Sequence, residues 1–511
     1  MTQTVADLFA LHDAAAPAIG APGRDWLSYG ALRELSGRVA ASLHAAGIGR
    51  VDRVAIVLPN GPEMATAFVT ISQAATAAPL NPAYQMDEYM FYLEDLQAKA
   101  LVVAADYDGP ALFAAAKTGA RIIRLAVNDG APAGAFSLAI GAGGGEADTD
   151  APGPGDVALI LHTSGTTSRP KIVPLTHANI HASAQNIMAS LALTPADRCL
   201  GIMPLFHIHG LIAGVSATLA AGAQMCCTSG FNALQFFGLL DEIRPSWYTA
   251  VPTMHQAILA RAARNADSIA RADLRFVRSS SASLPAPVME QLVATLGAPV
   301  IEAYGMTEAT HQMCSNPLPP HVQKAGSVGI PAGPEVRIAH ETEDRLLSRE
   351  DTGEIVISGG NVTPGYENNP AANAAAFFTA DGKQWFRTGD QGAFDDEGYL
   401  SLTGRLKEII NRGGEKISPL EVDAVLLSHP DIAQAVCFAV PHAKLGEDIA
   451  AAVVPADGST PTETDVRNFA SRRLAKFKVP GPILMLDDIP KGATGKIQRI
   501  GLAEKLGLTV G

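Results

Sequence analysis

Between His162 and Asn179 the chain reads HTSGTTSRPKIVPLTHAN. Thr163, Ser164, Thr166, Thr167 and Ser168 surround Gly165, and Lys171 follows closely, so five hydroxyls, several free backbone N–H groups and one ammonium share a short loop. Such a loop can hold an anion. The apolar run over 157–161 reads as a buried strand leading into it, and T-H-A-N from Thr176 reads as a helix start. Amides at a strand-to-helix turn, backed by hydroxyls and a lysine, cradle phosphates. The Walker spacing G-x-x-x-x-G-K-[ST] does not occur in the chain, which sets the loop apart from P-loop nucleotide hydrolases.

Three further clusters carry chemistry. YGMTEATH over 304–311 follows a predicted strand and sets Thr307 and Glu308 at its end, where a carboxylate can hold Mg²⁺ together with nucleotide phosphates. RTGD over 387–390 and GR over 404–405 put Asp390 and Arg405 beside tight turns, within reach of ribose hydroxyls. IPKGATGKIQR near the C-terminus carries Lys491 and Lys496 in a glycine-punctuated loop. Alone, either of the last two also reads as a solvated turn.

These residues need a large scaffold. At 511 residues the chain exceeds one ordinary core and implies two or more domains. With 47% hydrophobic and 17% charged residues it is not a disordered chain. A net charge of −13 gives no overall field for nucleic acid or an anionic membrane, so any polyanion must be bound locally. Five cysteines without a C-x-x-C pair argue against a disulfide framework or a zinc site and suit a reducing compartment. The first residues lack a basic leader, and the most apolar run, 211–227, is Gly/Ala/Ser-rich and short, reading as buried helix and strand. The expectation is a cytoplasmic protein that binds no nucleic acid and does not insert into membranes.

Apolar patterning fills in the architecture. Strand-like runs at 54–58, 100–104 and 122–127 alternate with a helical pattern over 62–77, the rhythm of a layered α/β domain. A Gly/Ala/Pro-rich segment over 130–155 reads as a surface linker. Strands are expected again at 200–203, 247–251, 276–279 and 300–304, with their carboxyl ends facing one crevice. From about 335 short strands and turns indicate a β-rich subdomain, with D-D-E-G at 395–398 as a hairpin turn. After residue 405 comes a second hairpin-like unit, LKEIINRGGEKISP, and then a small α+β domain. The fold class is α/β, with a large N-terminal domain over 1–405 and a small, mobile C-terminal domain over 406–511.

In that order, TSGTT…PK, YGMTE, TGD, GRLKE and PKxxxGK resemble the ANL superfamily of adenylate-forming enzymes. The resemblance implies that a carboxylate attacks the α-phosphorus of MgATP to give an acyl-adenylate and pyrophosphate, after which a thiol such as coenzyme A displaces AMP. It also implies that the small domain turns between the two steps. It assigns Thr163, Ser164, Gly165, Thr166, Thr167 and Lys171 to the β- and γ-phosphates, Thr307 to the α-phosphate and Glu308 to Mg²⁺. Tyr304 offers its face to adenine, with Ser281, Ala282, Glu302 and Ala303 on the nucleotide segments, and Asp390 and Arg405 take the ribose. Lys496 becomes the catalytic lysine, with Lys491 the outer lysine of its motif, and Lys407 takes the hinge position. Gly413, Gly414 and Glu415 would approach the pantetheine; Arg472, Arg473, Lys476 and Lys478, read on a helix, are either contacts for the CoA phosphates or a solvated helix face.

Two departures point further. Ser168-Arg169 and Ile172 replace residues that are glycine or variable in most members, and SSSASLP over 279–285 replaces the usual Gly-Gly-Ala-Pro segment. Together with PLFHIHGL, WYTAVPTMHQ and EAYGMTEATHQMCSNPLP, they resemble the oxalate–CoA ligase branch. A very short diacid needs a small pocket and donors for its second carboxylate, because a buried unpaired charge is costly. His207, Ser281 and His311 are the expected donors, His207 also serving catalysis, whereas His209 reads as structural. The alternative is a medium- or long-chain or aryl acyl-CoA synthetase with structural histidines. The expected partners are a small carboxylic acid, ATP and CoA, with the chain a monomer or homodimer.

Overall fold

The computed structural model describes residues 3–141, 145–163, 170–491 and 497–508. Ser164, Gly165, Thr166, Thr167, Ser168, Arg169 and Lys496 lie outside the described residues.

Two large sheets share one hydrophobic core. The first runs in the order Ser137–Ile140, Arg121–Ala126, Ala100–Ala104, Arg53–Val57, Thr76–Pro79, Val157–Thr163 and Lys171–Thr176, parallel inside and antiparallel at both edges. Its inner strands are continuous Ala, Val and Ile runs because both faces are covered. The second sheet has nine strands, with Val300–Met306, Phe276–Ser280, Trp247–Ala250, Arg198–Gly201, Gln224–Cys227 and Pro17–Ala21 parallel in its middle. Helix Pro62–Ile71 is buried at every residue but Glu63, which pairs with Arg24, so the rest of its sequence is apolar or small all round.

The third sheet is antiparallel: Glu335–Ala339, Gly353–Ser358, Lys383–Phe394 and Phe377–Ala380, with Leu400–Arg405 on Lys383–Phe394. A fourth sheet, from Ile410–Arg412 to Ile483–Met485, forms the C-terminal unit with helices Pro419–Leu427 and Glu463–Ser471. No described helix is long and apolar enough to cross a membrane.

Several sequence expectations need correction. The helical pattern over 62–77 stops at Ile71, and Thr76–Pro79 is a strand, because Ala-rich apolar runs fit either period once fully buried. The linker over 130–155 contains strand Ser137–Ile140, and Asp148 pairs with Arg50 at 2.8 Å. Strand Lys171–Thr176, antiparallel to Val157–Thr163, follows the phosphate-loop residues, so the connection runs from strand to strand and not from strand to helix. The helix start read at Thr176 is borne out: the helix begins at His177, capped by Thr176 with Asn179 completing a capping box. Arg472 through Lys478 follow helix Glu463–Ser471 rather than lie on it.

In the C-terminal unit, Arg499 holds the segment that follows the Lys496 loop. Its guanidinium pairs with Asp423, lies 3.5 Å from Glu408 and donates to the Cys437 carbonyl at 3.1 Å, while Asp423 accepts from Cys437 N at 2.5 Å. Burial pushes the Asp423 carboxyl up, and Arg499 opposes that push. Arg499→Met strands two largely buried carboxylates and should destabilise this unit by about 3–5 kcal/mol. Hydrogen exchange of the strand amides in Ile432–His442 should then quicken, while amides of the first two sheets stay protected.

Candidate active site

The carboxyl ends of the second sheet, the phosphate hairpin and the third sheet meet around Glu308. Strand Val300–Met306 runs into a short helical turn, Thr307–Ala309, and returns as strand His311–Ser315. Gly305 is required at that fold: a Cβ there would lie 1.9 Å from the His311 carbonyl oxygen. Glu308 is thereby pointed inward and is 6% exposed. Its Oε1 accepts the Tyr366 hydroxyl at 2.8 Å, and Lys171 Nζ sits 4.2 Å above the Tyr366 ring. Burial raises the Glu308 carboxyl above its usual range, and the Tyr366 hydrogen bond, then the Lys171 charge, pull it back.

The segment carrying Tyr366 straps these parts together. Thr363 donates its N–H to the Glu308 carbonyl and its hydroxyl to the Pro174 carbonyl, at 2.8 and 2.7 Å. Asn361 donates to the carbonyls of Ala309 and Gln312, and Asn179 to those of Gly360 and Val362. Glu367 pairs with Arg53 at 2.7 Å. Near the loop's entry, His162 Nε2 lies 3.2 Å from Asp95. Burial holds the His162 imidazole below its usual pKa.

The third sheet brings Asp390 to Tyr304. Glu354 pairs with Arg387 at 2.6 Å and accepts the Gly389 N–H at 3.0 Å, so Gly389, at φ 76°, turns the strand and presents Asp390. The Tyr304 hydroxyl donates to Asp390, and Arg405 Nε lies 3.6 Å from its other oxygen. Tyr304 therefore meets Asp390 through its hydroxyl. Glu302 is fully buried, its Oε1 accepting Leu284 N at 2.8 Å, so it anchors the 281–284 loop from below. Burial pushes its carboxyl up to about 8. Ala303 is buried beside it, its carbonyl accepting the Ser280 hydroxyl at 2.7 Å, whereas Ala282 is exposed. Thr163, Lys171 and Thr307 are half-buried.

His209, read as structural, is in contact with Ser281, its Nδ1 3.0 Å from Ser281 Oγ, and its ring centroid is 5.0 Å from that of His311. Its Nε2 is 2.6 Å from Thr249 Oγ1. His207 is half-buried two residues earlier, its ring 5.1 Å from Phe206. Beneath lies Arg278, fully buried on strand Phe276–Ser280, donating to Thr249 Oγ1 at 3.3 Å and to Gln312 Oε1 at 3.2 Å. Burial lowers Arg278 to about 9, which leaves it a cation at neutral pH. Among the described residues no carboxylate pairs with it.

Gly413 and Gly414 form the turn between Ile410–Arg412 and Glu415–Ile417, and Glu415 is exposed beside them. Lys416 from this hairpin pairs with Glu341 of the large unit at 2.5 Å, and Ser418 donates to the Thr403 carbonyl. Lys407 is exposed in the turn between Arg405 and Ile410. Arg473 stacks on Phe469 and Lys478 pairs with Glu421, whereas Arg472 and Lys476 are exposed. A cavity of about 940 Å³ lined by Asn60, Glu63, Asp106, Thr228 and Glu242 contains none of the candidate residues.

Residues 6–367 match the AMP-binding enzyme family, and residues 421–496 match the AMP-binding enzyme C-terminal domain. The chain belongs to the AMP-binding enzyme family. It is 46% identical to an oxalate–CoA ligase of Arabidopsis thaliana over 94% of each chain. It is 42% identical to an oxalate–CoA ligase of Saccharomyces cerevisiae, over 89% of this chain and 87% of the other. The crystal structure of ATP-bound MatB from Rhodopseudomonas palustris superposes with a TM-score of 0.86 at 30% identity over 99% of each chain.

Within this AMP-binding enzyme, sequence reasoning missed Tyr366, Arg278 and Thr249. Tyr366 lies in GNVTPGYENNP, where a lone tyrosine among turn residues carries no chemical signal. Arg278 did carry one, as an arginine in the middle of a fully buried strand, FVRSS. Tyr366→Phe removes the hydrogen bond that favours ionised Glu308, so the Glu308 carboxyl should rise further. The acid limb of pyrophosphate release should move to higher pH, with about a tenfold lower rate near neutrality. An unchanged pH–rate profile would show that Tyr366 does not tune Glu308.

Proposed function

We propose that oxalate is the acid this enzyme activates, with ATP and CoA as co-substrates. The chain is an AMP-forming acid–CoA ligase. One carboxylate of the acid attacks the α-phosphorus of ATP, pyrophosphate leaves, and the CoA thiol then displaces AMP from the acyl carbon. The observation that carries the choice of acid is the lining beside Ser281. His209, Thr249, Arg278, Gln312 and His311 are buried and polar where a fatty acid would need apolar wall. A cation below this wall suits a second carboxylate, which would otherwise be buried unpaired. The two oxalate–CoA ligases of plant and yeast support the same reading.

In this reading Thr163, Ser164, Gly165, Thr166, Thr167 and Lys171 hold the β- and γ-phosphates, and Thr307 the α-phosphate. Asp390 and Arg405 hold the ribose, and His207, Ser281 and His311 receive the acid. Glu308 fits Mg²⁺ as one buried hard oxygen donor beside hydroxyls, the donor set of an ion shared with phosphates. The ion would supply charge neutralisation at the phosphates. The domain boundary falls after Arg405, the C-terminal unit turns about Lys407, and the Gly413-Gly414-Glu415 turn guides the pantetheine. Lys496 neutralises charge on the carboxylate and α-phosphate oxygens during adenylation. The chain works in the cytoplasm as a monomer or homodimer.

Pyrophosphate release measured with oxalate, malonate, octanoate and benzoate should be fastest with oxalate, with AMP as the nucleotide product. Activity with octanoate alone would overturn the choice of acid. Lys496→Ala should slow adenylation by about three orders of magnitude, the several kcal/mol that a preorganised charge supplies in a dry site. ATP affinity measured by calorimetry should stay within about twofold.

A further inference from the structure

The hydrogen bonds behind the acid site have a direction, and it begins at Arg278. A guanidinium has only donors. One of its nitrogens is 3.3 Å from Thr249 Oγ1 and 3.5 Å from His209 Nε2, and the other is 3.2 Å from Gln312 Oε1. The Gln312 amide is fixed in that sense, since its nitrogen donates to Ser190 Oγ and the Ala332 carbonyl at 2.9 and 3.1 Å. Thr249 Oγ1 accepts from Arg278, and its own proton is free for His209 Nε2, 2.6 Å away. A proton on Nε2 would face the Arg278 N–H groups donor to donor. The ring proton therefore belongs on Nδ1, which is 3.0 Å from Ser281 Oγ.

The geometry points to Arg278 and Thr249 as positioning residues that hold His209 neutral, with its proton on Nδ1. Nδ1–H then donates to Ser281 Oγ, and the Ser281 hydroxyl proton is turned toward the acid's carboxylate. The opposite tautomer would draw the Ser281 proton into the wall and leave lone pairs facing an anion. Backbone conformation agrees with a working hydroxyl at this position. Ser281 has φ 73° and His311 φ 93°, left-handed values where glycine would sit without strain and a side chain needs a reason to be kept.

This inference rests on the proposed acid site, and its test separates the two. Histidine-selective ¹⁵N labelling of the full-length protein, with His209→Asn to assign the signal among 13 histidines, reads the tautomer directly. The expected result is Nδ1–H with bare Nε2 in the wild type, reverting toward a mixture in Thr249→Val. Arg278→Met should raise KM for oxalate tenfold or more, with kcat changed less than threefold, and Arg278→Lys should recover most of that loss. His209→Asn, whose amide can replace the Nδ1–H donor, should keep an oxalate KM within about threefold, whereas His209→Leu should not. Should Arg278→Met fail to fold, the wild-type tautomer and Thr249→Val decide the matter. A protonated Nε2 in the wild type, or an oxalate KM indifferent to Thr249→Val, would overturn the inference even if oxalate is the substrate. A correct tautomer in an enzyme inactive on oxalate would retain the relay and discard the acid.

Discussion

A carboxylate kept inside a protein must be held charged by its neighbours, and Glu308 is the point at which this fold meets that demand. Its burial disfavours the anion, the Tyr366 hydroxyl and the Lys171 ammonium favour it, and each neighbour arrives from a different element. Lys171 comes from the second strand of the phosphate hairpin, Tyr366 from the strap at 359–367, and Glu308 from the turn after Val300–Met306. Displacing any of the three disturbs the other two. This accounts for the number of backbone contacts spent on the strap, which binds the hairpin, the helix His177–Ser190 and the Glu308 turn to one another.

The side proposed to take the acid follows a different logic. There a cation, not an anion, is buried, and the described residues surround it with neutral acceptors instead of a carboxylate. An ion pair would have cancelled the field of Arg278; in the relay proposed above, acceptors pass it on through Thr249 and His209 to Ser281. In the proposed reading the two charges divide the labour, Glu308 on the phosphate side and Arg278 behind the acid, on the paired strands Val300–Met306 and Phe276–Ser280 and the turn that follows them.

Much of this was legible from residue types. Strand Ala100–Ala104 and the hairpin around 395–398 follow from composition and turn chemistry, and the ordered motifs identified the family before any fold was seen. What escaped was non-local. Strand Lys171–Thr176 begins at the lysine of the phosphate loop and contains Pro174, so it reads as loop until its antiparallel partner is known. The N-terminal hairpin Pro17–Ser28 pairs with Gln224–Cys227, some two hundred residues away, which no local pattern reveals. From sequence His209 reads as structural, because a single histidine is usually a satisfied core or loop residue. It is satisfied, and its partner, Ser281, is also a candidate for the acid.

The central claim is that an oxygen of the acid becomes bonded to the α-phosphorus of ATP. Turnover of uniformly ¹⁸O-labelled oxalate with unlabelled ATP and CoA, followed by mass spectrometry of the nucleotide, traces that oxygen. The account predicts AMP carrying one ¹⁸O and pyrophosphate carrying none, because the acyl C–O bond breaks when the thiol attacks. Unlabelled AMP, or ADP with ¹⁸O in orthophosphate, would contradict it.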